Sequence, residues 1–146
     1  MSVLIYANKH FLCARWGTIT RDDLEQLLTR AQAIQRSEGR RLVYAGVQYD
    51  DSSLPDRELT RHLIERATTL AKACDRFYLV IAARGVSASL HRTSVRSMLT
   101  VARIAGADVR RVQVMDSVDA VLADAGDDLP VARAVLRAEL TAAGIP

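Results

Sequence analysis

The sequence predicts an α/β domain: a mixed sheet of about five strands, helices packed on it, and one extra helix at the C-terminal end. Three observations carry this. Short apolar runs alternate with longer stretches of helical periodicity along the 146 residues. The opening reads as a β-hairpin, with apolar Val3 to Ala7, a turn at Asn8 and Lys9, and a second bulky run from Phe11 to Trp16. Phe77 to Ala83 is almost unbroken in its apolar character, too short for an independent helix and suited to an internal strand covered on both faces.

After the hairpin, Gly17 breaks the run, and Thr20 with Asp23 three residues on forms a weaker version of the capping box. Leu24, Leu27, Leu28, Ala31 and Ile34 then fall on one helical face, and Gly39 is the natural stop. Leu42 to Tyr49 is the next strand, and Pro55 suits the first turn of a second helix, where a missing N–H costs nothing. That helix carries Leu59, Leu63, Ile64, Ala67, Leu70, Ala71 and Cys74 at helical spacing. Beyond the Phe77 run, Gly85, Ser87 and Ser89 mark a turn with candidate caps. Val95, Met98, Leu99, Ala102 and Ala105 form the core face of a third helix that ends near Gly106. Val109 to Met115 supplies the last strand, and Asp116 or Ser117 caps a short helix from Val118 to Ala125. Pro130 opens a final amphipathic segment with Val131, Val135, Leu136 and Leu140. Residues 1–126 thus read as the domain and 127–146 as a C-terminal helical extension.

Composition narrows the function classes. Only 5% of residues are aromatic, which leaves little for a base-stacking surface. The net charge of +3 comes from acids and bases interspersed along the chain, as on a solvated surface, so nucleic acid is a disfavoured partner. Two cysteines make neither a disulfide framework nor a multi-cysteine metal pattern. No apolar run approaches the roughly 20 residues of a membrane-spanning helix, and the expectation is a cytoplasmic, non-transmembrane protein.

The segment RRLVYAGVQYDDSS, Arg40 to Ser53, holds the densest chemistry. An apolar strand ends there in two acids and two hydroxyls just before a helix, where loops of an α/β sheet converge on the usual binding crevice. Together with FLCARWGTITRDDLEQLL and VQVMDSVDAVLADA, this passage resembles the STAS family over roughly residues 3 to 126. That family includes bacterial anti-sigma factor antagonists and has lipid-binding relatives. The resemblance implies a non-enzymatic regulatory module with no cofactor, whose partner is another regulatory protein such as a kinase or an anti-sigma factor. In the antagonists an Asp-Ser-Ser-Gly-Leu-Gly type motif carries a phosphorylated serine. Asp51, Ser52 and Ser53 match its first part, and Leu54, Pro55 and Asp56 replace the rest.

Ser52 and Ser53 are therefore the phosphorylation candidates, one or the other facing solvent near the start of the second helix, with Ser52 the expected acceptor and Ser53 the expected helix cap. Asp50, Asp51, Asp56, Arg57 and Arg61 are the partner-binding candidates. Arg92, Arg96 and Arg103 share a face of the third helix, with His91 beside them. They form either a patch for an anionic partner or a solvated stripe. No hydrolase elbow, phosphate loop or dinucleotide glycine pattern organises the histidines and serines into a catalytic group, and no spacing matches a metal site. Two other functions stay open: binding of a lipid or other small apolar ligand between the sheet and the second and third helices, and homodimerisation through the final helix, whose apolar stripe should cover either the domain's own sheet or helices or a second chain.

Overall fold

The computed structural model describes residues 3–104, 106 and 111–146. It is an α/β fold with one sheet of five strands in the order β1-β2-β3-β4-β5. The strands are β1 Val3–Asn8, β2 Phe11–Trp16, β3 Leu42–Gln48, β4 Cys74–Ile81 and β5 Val112–Met115. The helices are α1 Arg21–Glu38, α2 Arg57–Lys72, α3 Gly85–Ile104, α4 Val118–Ala125 and α5 Arg133–Ala142, with a 3-10 turn at Gly126–Asp128. β1 and β2 are antiparallel, joined through Lys9 at φ 51°, and the remaining pairs are parallel.

This topology dictates which helices share a face. The chain steps from β2 to β5 one strand at a time, and right-handed crossovers in a single direction lay every connecting helix on the same side. α1, α2 and α3 accordingly cover one face, packing on Leu12, Trp16, Leu42, Tyr44, Phe77 and Ile81. The other face, with Phe11, Cys13, Val43, Val47, Tyr78 and Val80, is left to whatever follows β5. It is closed by α4, α5 and Ile145. The period-2 alternation of a strand buried on both sides assigns neighbouring residues of β3 and β4 to opposite cores.

Several boundaries follow the sequence closely. Thr20 and Asp23 form the reciprocal capping box, with Asp23 N–H donating to Thr20 Oγ1 at 3.2 Å and Thr20 N–H to Asp23 Oδ2 at 3.1 Å. Gly39 ends α1 in the left-handed conformation, φ 63°. Ser117 caps α4.

Others need correction. Pro55 does not open α2; Asp56 is its N-cap, accepting from Leu59 N–H at 2.8 Å. Cys74 is not a helix residue but the first of β4, because Ala73 already closes α2. Ser87 and Ser89 lie inside α3, which begins at Gly85, φ 61°. Pro130 precedes α5 without starting it, since Ala132 is the N-cap position. Of the last strand and third helix as expected, Ala105, Val109 and Arg110 lie outside the described residues.

Residues 127–146, expected as a helical extension whose apolar stripe covers the domain itself or pairs with another chain, pack on the domain itself. Leu136, Leu140 and Ile145 are 0% exposed and belong to the same core as Phe11, Val43 and Tyr78. Polar ties reinforce the packing: Arg15 donates to Gly144 O at 2.7 Å, and the Tyr49 hydroxyl donates to Pro146 O at 2.6 Å. Arg76 holds Asp128 at 2.5 Å and Asp124 at 3.2 Å. The inner positions of the amphipathic stripe are thus occupied by the chain's own sheet, while Val135 points away, 46% exposed. No helix of the described residues is long and apolar enough to cross a membrane.

Candidate functional site

The loop after β3 leaves the carboxyl edge of the sheet and is fastened to three neighbouring elements. Ser52 is the fastener. It is 7% exposed, its Oγ accepts from Tyr49 N–H at 3.0 Å and donates to the carbonyl of Trp16, and its N–H donates to Tyr49 O at 3.1 Å. Its carbonyl faces His91 Nε2 at 3.1 Å, and His91 Nδ1 faces Ser87 O at 2.8 Å. His91, 3% exposed, therefore ties the loop to α3 from the inside and does not stand beside the arginines on the outer surface.

The expected roles of the two serines change accordingly. Ser52 does not face solvent, because both sides of its hydroxyl are engaged by backbone. Ser53 does not cap α2, because Asp56 does, and Ser53 is exposed with only a long 3.4 Å contact from its Oγ to Gly17 O. Its N–H donates to the same carbonyl at 3.1 Å, which fixes the backbone while leaving the side chain at the surface.

The acids of the loop have local work. Asp50 accepts from Arg84 N–H at 2.8 Å, joining the β3–α2 and β4–α3 connections. Asp51 pairs with Arg15 at 3.1 Å, and that guanidinium also lies 4.6 Å from the centre of the Tyr49 ring. Arg57 and Arg61 are exposed at the start of α2. Arg92 is paired with Asp116 at 2.9 Å, so the expected patch of three arginines has one member facing a carboxylate; Arg96 and Arg103 are exposed. Among the described residues no cluster of three or more His, Cys, Asp or Glu is placed to hold a metal ion.

A second feature lies beneath the loop, between the sheet and α1, α2 and α3. It is a cavity of about 130 Å³, walled by aliphatic side chains including Leu27, Leu63, Leu79, Val95 and Leu99. One corner is polar. Parallel pairing sets Trp16 of β2 beside Gln48 of β3, and period-2 alternation puts Tyr44, Gly46 and Gln48 on the cavity side of β3. Trp16 Nε1–H reaches the Tyr44 hydroxyl at a long 3.4 Å, and Gln48 Oε1 is buried without a hydrogen-bond partner. Burial pushes the Tyr44 phenol well above its ordinary pKa, so the hydroxyl stays neutral.

Gly46 makes this corner possible. A Cβ there would sit 2.8 Å from the Tyr44 hydroxyl and 3.2 Å from Trp16 Nε1. Gly46, Gln48 and Trp16 are not among the site residues expected from the sequence. The available signal was a glycine in the middle of a strand, which marks close approach by another group, followed two residues later by a polar side chain on the same face.

Comparison of the chain with protein-family models, with curated proteins and with solved structures returns no match.

Proposed function

We propose that the chain is a non-enzymatic, STAS-like regulatory module of the cytoplasm, of the kind used in bacterial signalling, which binds another protein through the 50–56 loop and the adjoining ends of α2 and α3. The observation that carries this reading is the division of labour between neighbouring serines. Ser52 clamps the loop to Trp16, Tyr49 and His91, and the clamp leaves Ser53 and Leu54 on the surface, Leu54 at 43% exposed. A rigid backbone presenting an exposed hydroxyl and an apolar side chain suits recognition, since little entropy is lost on binding.

The same end of the molecule offers further apolar area. Val86 and Leu90, one helical turn apart on α3 beside the buried His91, are 78% and 53% exposed. Ser53 is the hydroxyl a kinase would modify in this reading. A phosphate there adds about −1.5 to −2 charge next to Asp51 and Asp56 and disfavours an acidic partner surface.

The test joins phosphosite mapping with affinity capture from the native cell, using wild type, Ser53→Asp and Leu90→Glu. The reading expects phosphate at Ser53 and one regulatory protein captured by wild type and lost with both variants. Identical capture by all three, with Ser53 unmodified, would remove the loop from the interface.

A further inference from the structure

We infer that the cavity between the sheet and helices α1 to α3 is a binding site for a small, uncharged ring compound bearing a hydroxyl, of phenol size and chemistry. The inference is independent of the protein-binding role proposed above. It rests on three properties of the cavity: volume, lining and one unmatched polar atom.

Volume sets the size class. About 130 Å³ is close to the roughly 150 Å³ of an engineered apolar cavity that accepts benzene. It is well below the roughly 300–1,000 Å³ of sites for drug-sized ligands, so a single ring fits and a phospholipid does not. The lining excludes charge. The walls are mostly aliphatic and aromatic; besides Gln48, Thr68 donates its hydroxyl proton to Ile64 O at 2.8 Å, and Arg66, the one cation among the described lining residues, is already held by Glu25 at 2.6 Å. An ionised ligand would lose its hydration without a partner.

The unmatched atom sets the functional group. Gln48 Oε1 is buried and unpartnered, a costly state for an amide unless something supplies a hydrogen bond. A hydroxyl serves whichever way the amide is turned, because it donates to the oxygen or accepts from the nitrogen. Trp16 and Tyr44 flank the position, so a ring with its hydroxyl at Gln48 would lie against aromatic surface. The route in runs between α2 and α3, where Leu63, Ala67, Met98 and Leu99 are only half-buried.

Trp16 is the sole tryptophan, so its indole N–H gives a single unambiguous signal in a nitrogen–proton correlation spectrum. Phenol and toluene, of matched shape, are titrated into wild type, Gln48→Leu and the cavity-filling Ala67→Leu, each first shown to unfold cooperatively. Expected is saturable movement of the Trp16 signal by phenol at least tenfold tighter than by toluene, a preference abolished in Gln48→Leu, and loss of both ligands in Ala67→Leu. Should Ala67→Leu not fold, Leu99→Phe takes its place. Absence of a saturable response to phenol overturns the proposal, as does an equal phenol preference in wild type and Gln48→Leu. A response to phosphatidylcholine vesicles but not to phenol would overturn it in favour of a lipid site.

Discussion

The two faces of the sheet are built from the same strands and finished differently. On the α4–α5 face, Leu122, Leu136, Leu140 and Ile145 are 0% exposed, and polar ties from Arg15, Tyr49 and Arg76 seal the rim. On the α1–α3 face α1 and α3 each sink several residues, Leu27 and Ala31 on one and His91 and Val95 on the other, and α2 is the shallow element. α2 contributes a single buried residue, Leu70, and its Leu63, Ile64 and Ala67 remain half-buried around a cavity. One layer is thus closed to the rim while the other packs more loosely around a cavity, and looser packing of this kind predicts lower local stability.

If that contrast is right, removing the closed layer should be the most damaging change. Truncation after Asp128 deletes three side chains that are 0% exposed. Large buried aliphatics cost about 2–5 kcal/mol each when cut to alanine. Their sum reaches the roughly 5–15 kcal/mol that holds an ordinary domain together. The shortened chain should lose its cooperative thermal transition by circular dichroism. A truncated protein that melts like the full one would mean that α5 is not part of the core.

Single substitutions sharpen the contrast. Leu140→Ala on the closed face should cost about 2–5 kcal/mol in denaturant unfolding, because a cavity adds to the lost transfer energy. Leu63→Ala on the open face should cost about 1 kcal/mol, since a half-buried leucine gains only part of the burial energy. Equal costs would erase the distinction.

Much of the sheet was legible in advance because its signals are local. The Phe77 run, the hairpin and the capping box at Thr20 each depend on residues within one turn or one strand. That the α5 stripe must be covered was legible from its own residues; which surface covers it was not. Val131, Val135, Leu136 and Leu140 make a stripe, but which surface receives it depends on all helices before β5 lying on the opposite face. The loop chemistry was legible in place but not in detail. Asp51-Ser52-Ser53 drew notice as a motif, yet which hydroxyl is buried depends on carbonyls at Trp16 and Gly17, far away in sequence. The Gln48 corner was hidden for the same reason, since its significance comes from the register that sets Trp16 beside it.

Acid should act first on the closed face. The hydrogen bond from Arg76 holds the Asp128 carboxyl below its usual range, so this pair stabilises the fold above the unfolded carboxylate pKa. That contribution is lost as pH falls through the folded value, in the acid range. Both groups are partly exposed, and Asp128→Asn should cost no more than about 1 kcal/mol near neutral pH. The variant should also show a shallower fall in stability towards low pH. An unchanged acid slope would show that the pair does not link this rim to pH.

The smallest expected effect is kinetic. Burial pushes the thiols of Cys13 and Cys74 up to about 12, and both should resist alkylation in the native protein. Cys13 packs in the closed core and Cys74 in the open one, so Cys74 should be modified first by iodoacetamide. Faster modification of Cys13, read by mass spectrometry, would reverse the assignment of the looser side.

Native-state hydrogen exchange measures the contrast most directly, residue by residue. The amides of Leu122, Leu136 and Leu140 should exchange only through global unfolding, with the denaturant dependence of the whole molecule. Those of Leu63, Ala67 and Met98 should exchange faster, through local openings with little denaturant dependence. Equal protection in the two sets, or fraying of α5 ahead of α2 and α3, would contradict the division of the molecule into a closed, stabilising face and a more loosely packed one.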